Sequence, residues 1–140
     1  MTTIFADHKS GVMVCDSKCT LGDTWVEATK VVRIGDELIG FAGHASEGDR
    51  WLAWYASGQN GPMPKILNSM AIILSPHGLR MLDSTGGYFV MERGFGGCGS
   101  GGGYAVAAFM AGAKPVKAVQ IACQIDANSG GRIVSHKLRK

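Results

Sequence analysis

Short apolar runs bounded by turn residues recur along the first ninety or so residues, interrupted by a helical period over 46–57 and followed by two more helical stretches after residue 103. Residues 2–6 and 12–15 are short apolar runs on either side of Lys9-Ser10-Gly11, which predicts a β-hairpin. A second hairpin is predicted from 26–34 and 37–42, which meet at Gly35-Asp36. Between 46 and 57 the period changes: Trp51, Trp54 and Tyr55 recur at helical spacing behind Ser46, a residue suited to cap a helix start. That aromatic stripe fits a core or a subunit contact. The run Gln59-Asn60-Gly61-Pro62-Met63-Pro64 breaks the chain. Strands over 70–75, 79–83 and 87–91 then form a meander through His77-Gly78 and Thr85-Gly86. Helices follow over 103–113 and 115–125, the second with proline in its first turn, and a last strand covers 132–136.

Strands, helix, strands, helices, strand is the order of an α+β fold in which two antiparallel sheets carry helices on their outer faces, a four-layer αββα sandwich. No internal repeat or linker divides it, so one domain over residues 1–140 is expected, long enough to bury a substantial core. The formal net charge of +3 is spread along the chain, and only His136-Lys137-Leu138-Arg139-Lys140 clusters basic residues. That excludes a dedicated nucleic-acid surface. No apolar run approaches membrane-spanning length and the first residues form no signal-peptide core, so the expected location is cytoplasmic, without a membrane partner. Cys15, Cys19, Cys98 and Cys123 lack paired zinc spacing, so reduced thiols are expected, with no metal site and no cofactor.

The chemistry begins at Met1-Thr2-Thr3-Ile4. A threonine hydroxyl needs a base, and a chain-terminal α-amine with an ordinary pKa of about 8 can act as one, provided Thr2 is made the first residue by loss of Met1. Taken singly, the other polar residues have plain readings. Asp16 with Ser17 suits a turn, Lys30 suits a solvent-facing strand position, Ser100 suits a loop or helix cap, and 126–131 suits a turn between helix and strand.

Their ordered set says more. Thr2-Thr3-Ile4, Asp16-Ser17-Lys18-Cys19-Thr20-Leu21-Gly22, Lys30-Val31-Val32-Arg33-Ile34, Gly40-Phe41-Ala42-Gly43 and the glycine-rich 99–105 segment resemble the proteasome β-subunit family of N-terminal nucleophile (Ntn) hydrolases, especially its HslV branch. Asp126, Ser129, Gly130 and Gly131 resemble the true proteasome β subunits. The similarity runs in order from residue 2 to about residue 136. It implies a threonine-type endopeptidase whose active sites are enclosed in a self-assembled homo-oligomeric ring, acting on peptides or unfolded proteins. Thr2 would supply hydroxyl and amine. Lys30, held by Asp16, would favour the alkoxide-like form and keep the amine unprotonated by like-charge repulsion. The Gly43 N–H would donate to the oxyanion, and Ser100, Asp126 and Ser129 would hydrogen-bond around the amine. Thr20 would align the substrate backbone as an added strand. Cys19, Ala28, Phe41 and Ala45 would line the pocket for the side chain preceding the scissile bond, an uncharged pocket made shallow by Phe41.

The chain also departs from the family pattern. One helix fits between Phe41 and the next strands where two are usual, so one helical layer is expected to be reduced. That layer is where the resemblance implies docking of an ATP-driven AAA+ unfoldase, which weighs against that partner. The two stretches from Thr2 to Asp16 and from Asp16 to Lys30 are shortened by an even step, which keeps side chains on their sheet face. Two other readings remain. One is a ring-forming homologue without activity. The other is a nucleotide binder, because Gly94-Phe95-Gly96-Gly97-Cys98-Gly99 matches G-x-G-x-x-G, although it lacks the βαβ context such a site needs.

Overall fold

The computed structural model describes residues 2–83 and 85–139. In chain order they form β1 (Ile4–Asp7), β2 (Val12–Cys15), β3 (Lys18–Leu21), β4 (Thr24–Glu27), β5 (Val31–Ile34), β6 (Glu37–Ala42), α1 (Ala45–Ala56), β7 (Met70–Ser75), β8 (Gly78–Leu82), β9 (Tyr88–Val90), β10 (Phe95–Cys98), α2 (Gly102–Met110), α3 (Pro115–Ile125) and β11 (Val134–Lys137). All strand pairs are antiparallel. One sheet has the order β10-β1-β2-β11, a second β5-β6-β7-β8-β9, and β3 pairs with β4 as a separate ribbon.

Period-two alternation decides what each face of a strand meets. In the first sheet Ile4 stands opposite both Cys15 and Cys98. Ile4, Ala6, Met13, Cys15 and Cys98 turn toward the second sheet, where Leu38, Ile72, Leu74, Leu79 and Met81 meet them. Phe5 and Val14 point the other way, onto Ala105 of α2 and Ala118, Val119 and Ala122 of α3. On the far side Ile39, Ala71, Ile73 and Leu82 pack under Trp51 and Tyr55 of α1. The layers therefore run helices, sheet, sheet, helix. This is the αββα sandwich of the sequence reading, with one outer layer reduced to α1, since residues 57–69 form no regular helix or strand.

Two expectations are corrected and two open readings are decided. The strand expected over 26–34 is two strands in different sheets. Its break at residues 28–30 is fixed by the Ala28 N–H donating to Ser17 O at 2.8 Å and the Phe41 N–H to Lys30 O at 3.2 Å. Ser46 is not the cap of α1; His44 holds that position, and its side chain makes no cap bond. Trp51 is wholly buried and Tyr55 nearly so, which makes them core, one of the two readings of the aromatic stripe. The residues of the G-x-G-x-x-G match form β10, paired with β1, instead of a strand-to-helix turn. A side chain at Gly97 would meet the Gly102 backbone, so this glycine serves close packing of β10 on α2, while one at Gly96 would meet Met91. No helix among the described residues is long and apolar enough to cross a membrane.

Candidate active site

Thr2 and Thr3 lead into β1, and Asp16 and Ser17 follow directly on β2, so the hairpin register sets them side by side. The Asp16 N–H donates to Thr3 O at 3.1 Å, extending the ladder by one residue. The Asp16 carboxylate is fully buried and has three donors: the Thr3 N–H at 3.0 Å, the Gly130 N–H at 3.0 Å and the Lys30 ammonium at 2.9 Å. Lys30 also donates to Lys18 O at 2.6 Å, and its side chain is 7% exposed. A buried ion pair is tolerable when its remaining lone pairs and protons are satisfied, and these two backbone donors and one carbonyl do so. The break between β4 and β5 turns Lys30 inward, against the plain reading of a surface lysine.

A second network holds the other side of Thr2. The Thr2 nitrogen donates to Ser100 Oγ at 3.3 Å, and Ser100 donates to Asp126 Oδ2 at 2.6 Å. Ser129 donates to the same oxygen at 2.7 Å and meets the Thr3 hydroxyl at 2.7 Å. Of the three residues expected around the amine, Ser100 alone reaches it. Asp126 is linked to it through Ser100, and Ser129 bonds Asp126 and Thr3 instead. Burial alone pushes the Asp126 carboxyl up, but the hydrogen bonds from Ser100, Ser129 and the Asn128 N–H outweigh it and leave it below its ordinary value. Met1, whose removal the sequence reading requires, lies outside the described residues.

Thr2 and Gly43 together line two adjoining hollows. The smaller, of about 140 Å³, is walled by the expected Cys19, Ala28, Phe41 and Ala45 with Lys30. Thr20, expected to align the substrate backbone rather than to line this pocket, is exposed on β3 opposite Trp25. The wall is not free of charge, because Lys18 and Asp49 join it. The larger hollow, of about 530 Å³, adds His44, Asn68, Met70, Gly99 and Ser100. Cys15 and Cys98 compete poorly as nucleophiles: burial pushes the first up to about 11 and the second up to about 12. Sequence reasoning missed Thr3, which looked like a duplicate of Thr2, and Glu47 and Ser69, which no motif marks.

No protein-family sequence model matches the chain, and no curated protein matches it by sequence. Its structure is nonetheless similar to the crystal structure of eukaryotic HslV from Trypanosoma brucei, with 25% identity, a TM-score of 0.76, and coverage of 96% of this chain and 98% of that one. It is similar in fold to Thiobacillus denitrificans BPH at 18% identity and a TM-score of 0.73, covering 99% of this chain and 98% of that one. The likeness extends to the same protein in complex with epoxomicin, at 18% identity, a TM-score of 0.71, and coverage of 99% and 100%. The fold is that of the HslV and proteasome type of Ntn hydrolase.

Proposed function

We propose that the chain is a proteasome-like threonine peptidase, with Thr2 as nucleophile and base. The Thr2 hydroxyl attacks the scissile carbonyl and its proton passes to the Thr2 amine, which Ser100 orients. Lys30, fixed by Asp16, stabilises the developing alkoxide, and the Gly43 N–H donates to the carbonyl oxygen as it becomes an oxyanion. The ammonium then returns its proton to the departing amine, leaving an ester on Thr2. The same amine deprotonates a water that hydrolyses the ester, and the hydroxyl is restored.

One observation carries this reading: the buried Asp16–Lys30 pair lies against a hollow that Thr2 and Gly43 both line. A buried ammonium beside a hydroxyl whose own residue supplies the base needs no further group to start acyl transfer. The hollow is also small beside the roughly 300–1,000 Å³ of drug-sized ligand sites, which fits one small or medium apolar side chain bounded by Phe41. Ser129 and Thr3 brace the main chain at the nucleophile, and Thr20 contributes through the edge of β3 rather than through the pocket.

The proposal includes a homo-oligomeric ring. Tyr104, Met110, Val116 and Ile125 on α2 and α3, and Leu21, Trp25 and Val26 on the β3–β4 ribbon, are exposed apolar side chains. That is more than solitary surface residues require. An AAA+ unfoldase stays outside the proposal, because α1 alone covers its side of the sandwich. The test is hydrolysis of a fluorogenic peptide library by the purified protein and by Thr2→Ala, with light scattering on both. The proposal expects turnover by the first, none by the second, and closed oligomers in each. Equal turnover by both, or a monomer at micromolar concentration, would overturn it.

A further inference from the structure

Gly43 directly follows β6 with a φ of 139°, a backbone conformation that L side chains rarely adopt. It is also the point of closest approach to Ser69, whose Oγ, Cβ and Cα occupy the space a Gly43 side chain would need. Ser69 is 1% exposed and comes immediately before β7, where Met70 pairs with Ala42. Its hydroxyl accepts the His44 N–H at 3.3 Å and donates to Glu47 Oε1. The other carboxylate oxygen, Oε2, accepts the Leu67 N–H at 3.0 Å.

Helix chemistry explains the choice of residues. Glu47 is the third residue of α1, and a glutamate there commonly reaches back to the N–H of the cap residue. Here the cap is His44, and the Ser69 hydroxyl stands between its N–H and Glu47, relaying the bond through a segment from outside the helix. The arrangement fixes both flanks of Gly43: strand pairing holds Ala42 on one side, and the Ser69–Glu47 relay holds His44 on the other. Glu47 is 8% exposed and remains ionised, because the Ser69 hydroxyl, with the N–H groups of Leu67 and Asn68, lowers it below its ordinary value.

We infer that Glu47 and Ser69 are positioning residues that aim the Gly43 N–H at the oxyanion, an inference that rests on Gly43 serving as the donor in the proposed peptidase. Neither touches the reacting atoms. Removing an oxyanion donor outright lowers kcat by about 10²–10³-fold. Loosening one that stays in place should cost about 10- to 100-fold.

The test compares Ser69→Ala, Glu47→Gln and Ser69→Thr with the parent in the assembled protein. The expected result for Ser69→Ala and Glu47→Gln is a kcat lower by that factor with KM little changed. Binding of a peptide aldehyde, whose hemiacetal places an oxyanion at the same N–H, should weaken in parallel. Backbone amide exchange over residues 42–46 should quicken in both variants, and Ser69→Thr should recover most of each effect by restoring the hydroxyl. If the relay only anchors α1, thermal stability falls while kcat, aldehyde binding and exchange at 42–46 keep their parent values, and the inference is overturned. Should the parent itself hydrolyse nothing, the Thr2 reading fails, yet the exchange comparison still decides whether Glu47 and Ser69 hold Gly43.

Discussion

Cutting the Asp16–Lys30 pair from each side in turn should give unequal results, because the two partners lose different amounts of hydrogen bonding. Lys30→Met removes the ammonium and leaves Asp16 with its two backbone donors, Thr3 N–H and Gly130 N–H, each at 3.0 Å. Breaking a buried pair costs about 3–5 kcal/mol, and this residual capping places the variant at the low end, near 3 kcal/mol. Asp16→Ala leaves Lys30 with a carbonyl and also strands both N–H groups, each unmet buried donor adding about 1–3 kcal/mol. The total, about 5–8 kcal/mol after allowing for relaxation, rivals the whole stability of a domain, which is about 5–15 kcal/mol. Urea unfolding of the two variants, with peptide hydrolysis measured alongside, checks this. Lys30→Met should fold and assemble, lose about 10 °C in Tm, and fall about 100-fold or more in turnover. Asp16→Ala should fail to fold or unfold at very low denaturant. Equal stability of the two variants, or full turnover by Lys30→Met, would refute the account of the pair.

Phe41→Ala should open the 140 Å³ hollow and shift cleavage toward larger apolar residues before the scissile bond; a parent preference for arginine or glutamate there, read from a peptide library, contradicts the pocket assignment. Asp126 is held below its ordinary value of 3.8, so its contribution to stability is fully present above about pH 4 and is lost as pH falls through the lower folded value. Acid unfolding should therefore show a step below that point that Asp126→Asn lacks, and identical acid profiles would count against it. Gly101→Ala would set a methyl group on the Thr3 hydroxyl and 3.2 Å from Asp126 Oδ2, forcing Thr3 off Ser129. Overpacking of this kind costs about 1–3 kcal/mol, and activity should drop with it; parent-like unfolding and turnover would show that the site absorbs the methyl.

The sheets and helices were legible because the apolar runs of β1, β2, β6, β7 and β8, bounded by turn residues, and the helical period of α1, α2 and α3 are strong local signals. β10 was not, since its Phe95, Gly96, Gly97 and Cys98 carry the glycines of a loop, and only tertiary packing, Gly97 against α2 and Gly96 against Met91, explains them. The break after β4 escaped for a similar reason: residues 26–34 keep alternating in sequence while the backbone passes from the ribbon to another sheet. Asp16, Lys30, Gly43 and Ser100 were found through their order along the chain, and the fold gathers them at Thr2. Thr20 was given its backbone-aligning role by resemblance alone, and it is exposed on β3. Glu47 and Ser69 lie 22 residues apart and meet only because β7 pairs with β6. No local pattern announces such a contact.

The central claim is that Thr2 is a free, amine-activated nucleophile. The most direct measurement is the intact mass of the assembled protein after incubation with epoxomicin, followed by peptide mapping, for the parent and for Thr2→Ala. The account predicts a parent chain that begins at Thr2, gains one inhibitor mass per chain, and carries it on the peptide containing Thr2, while Thr2→Ala stays unmodified. A parent that begins at Thr2 and takes up no inhibitor, or an adduct that persists in Thr2→Ala, would contradict it.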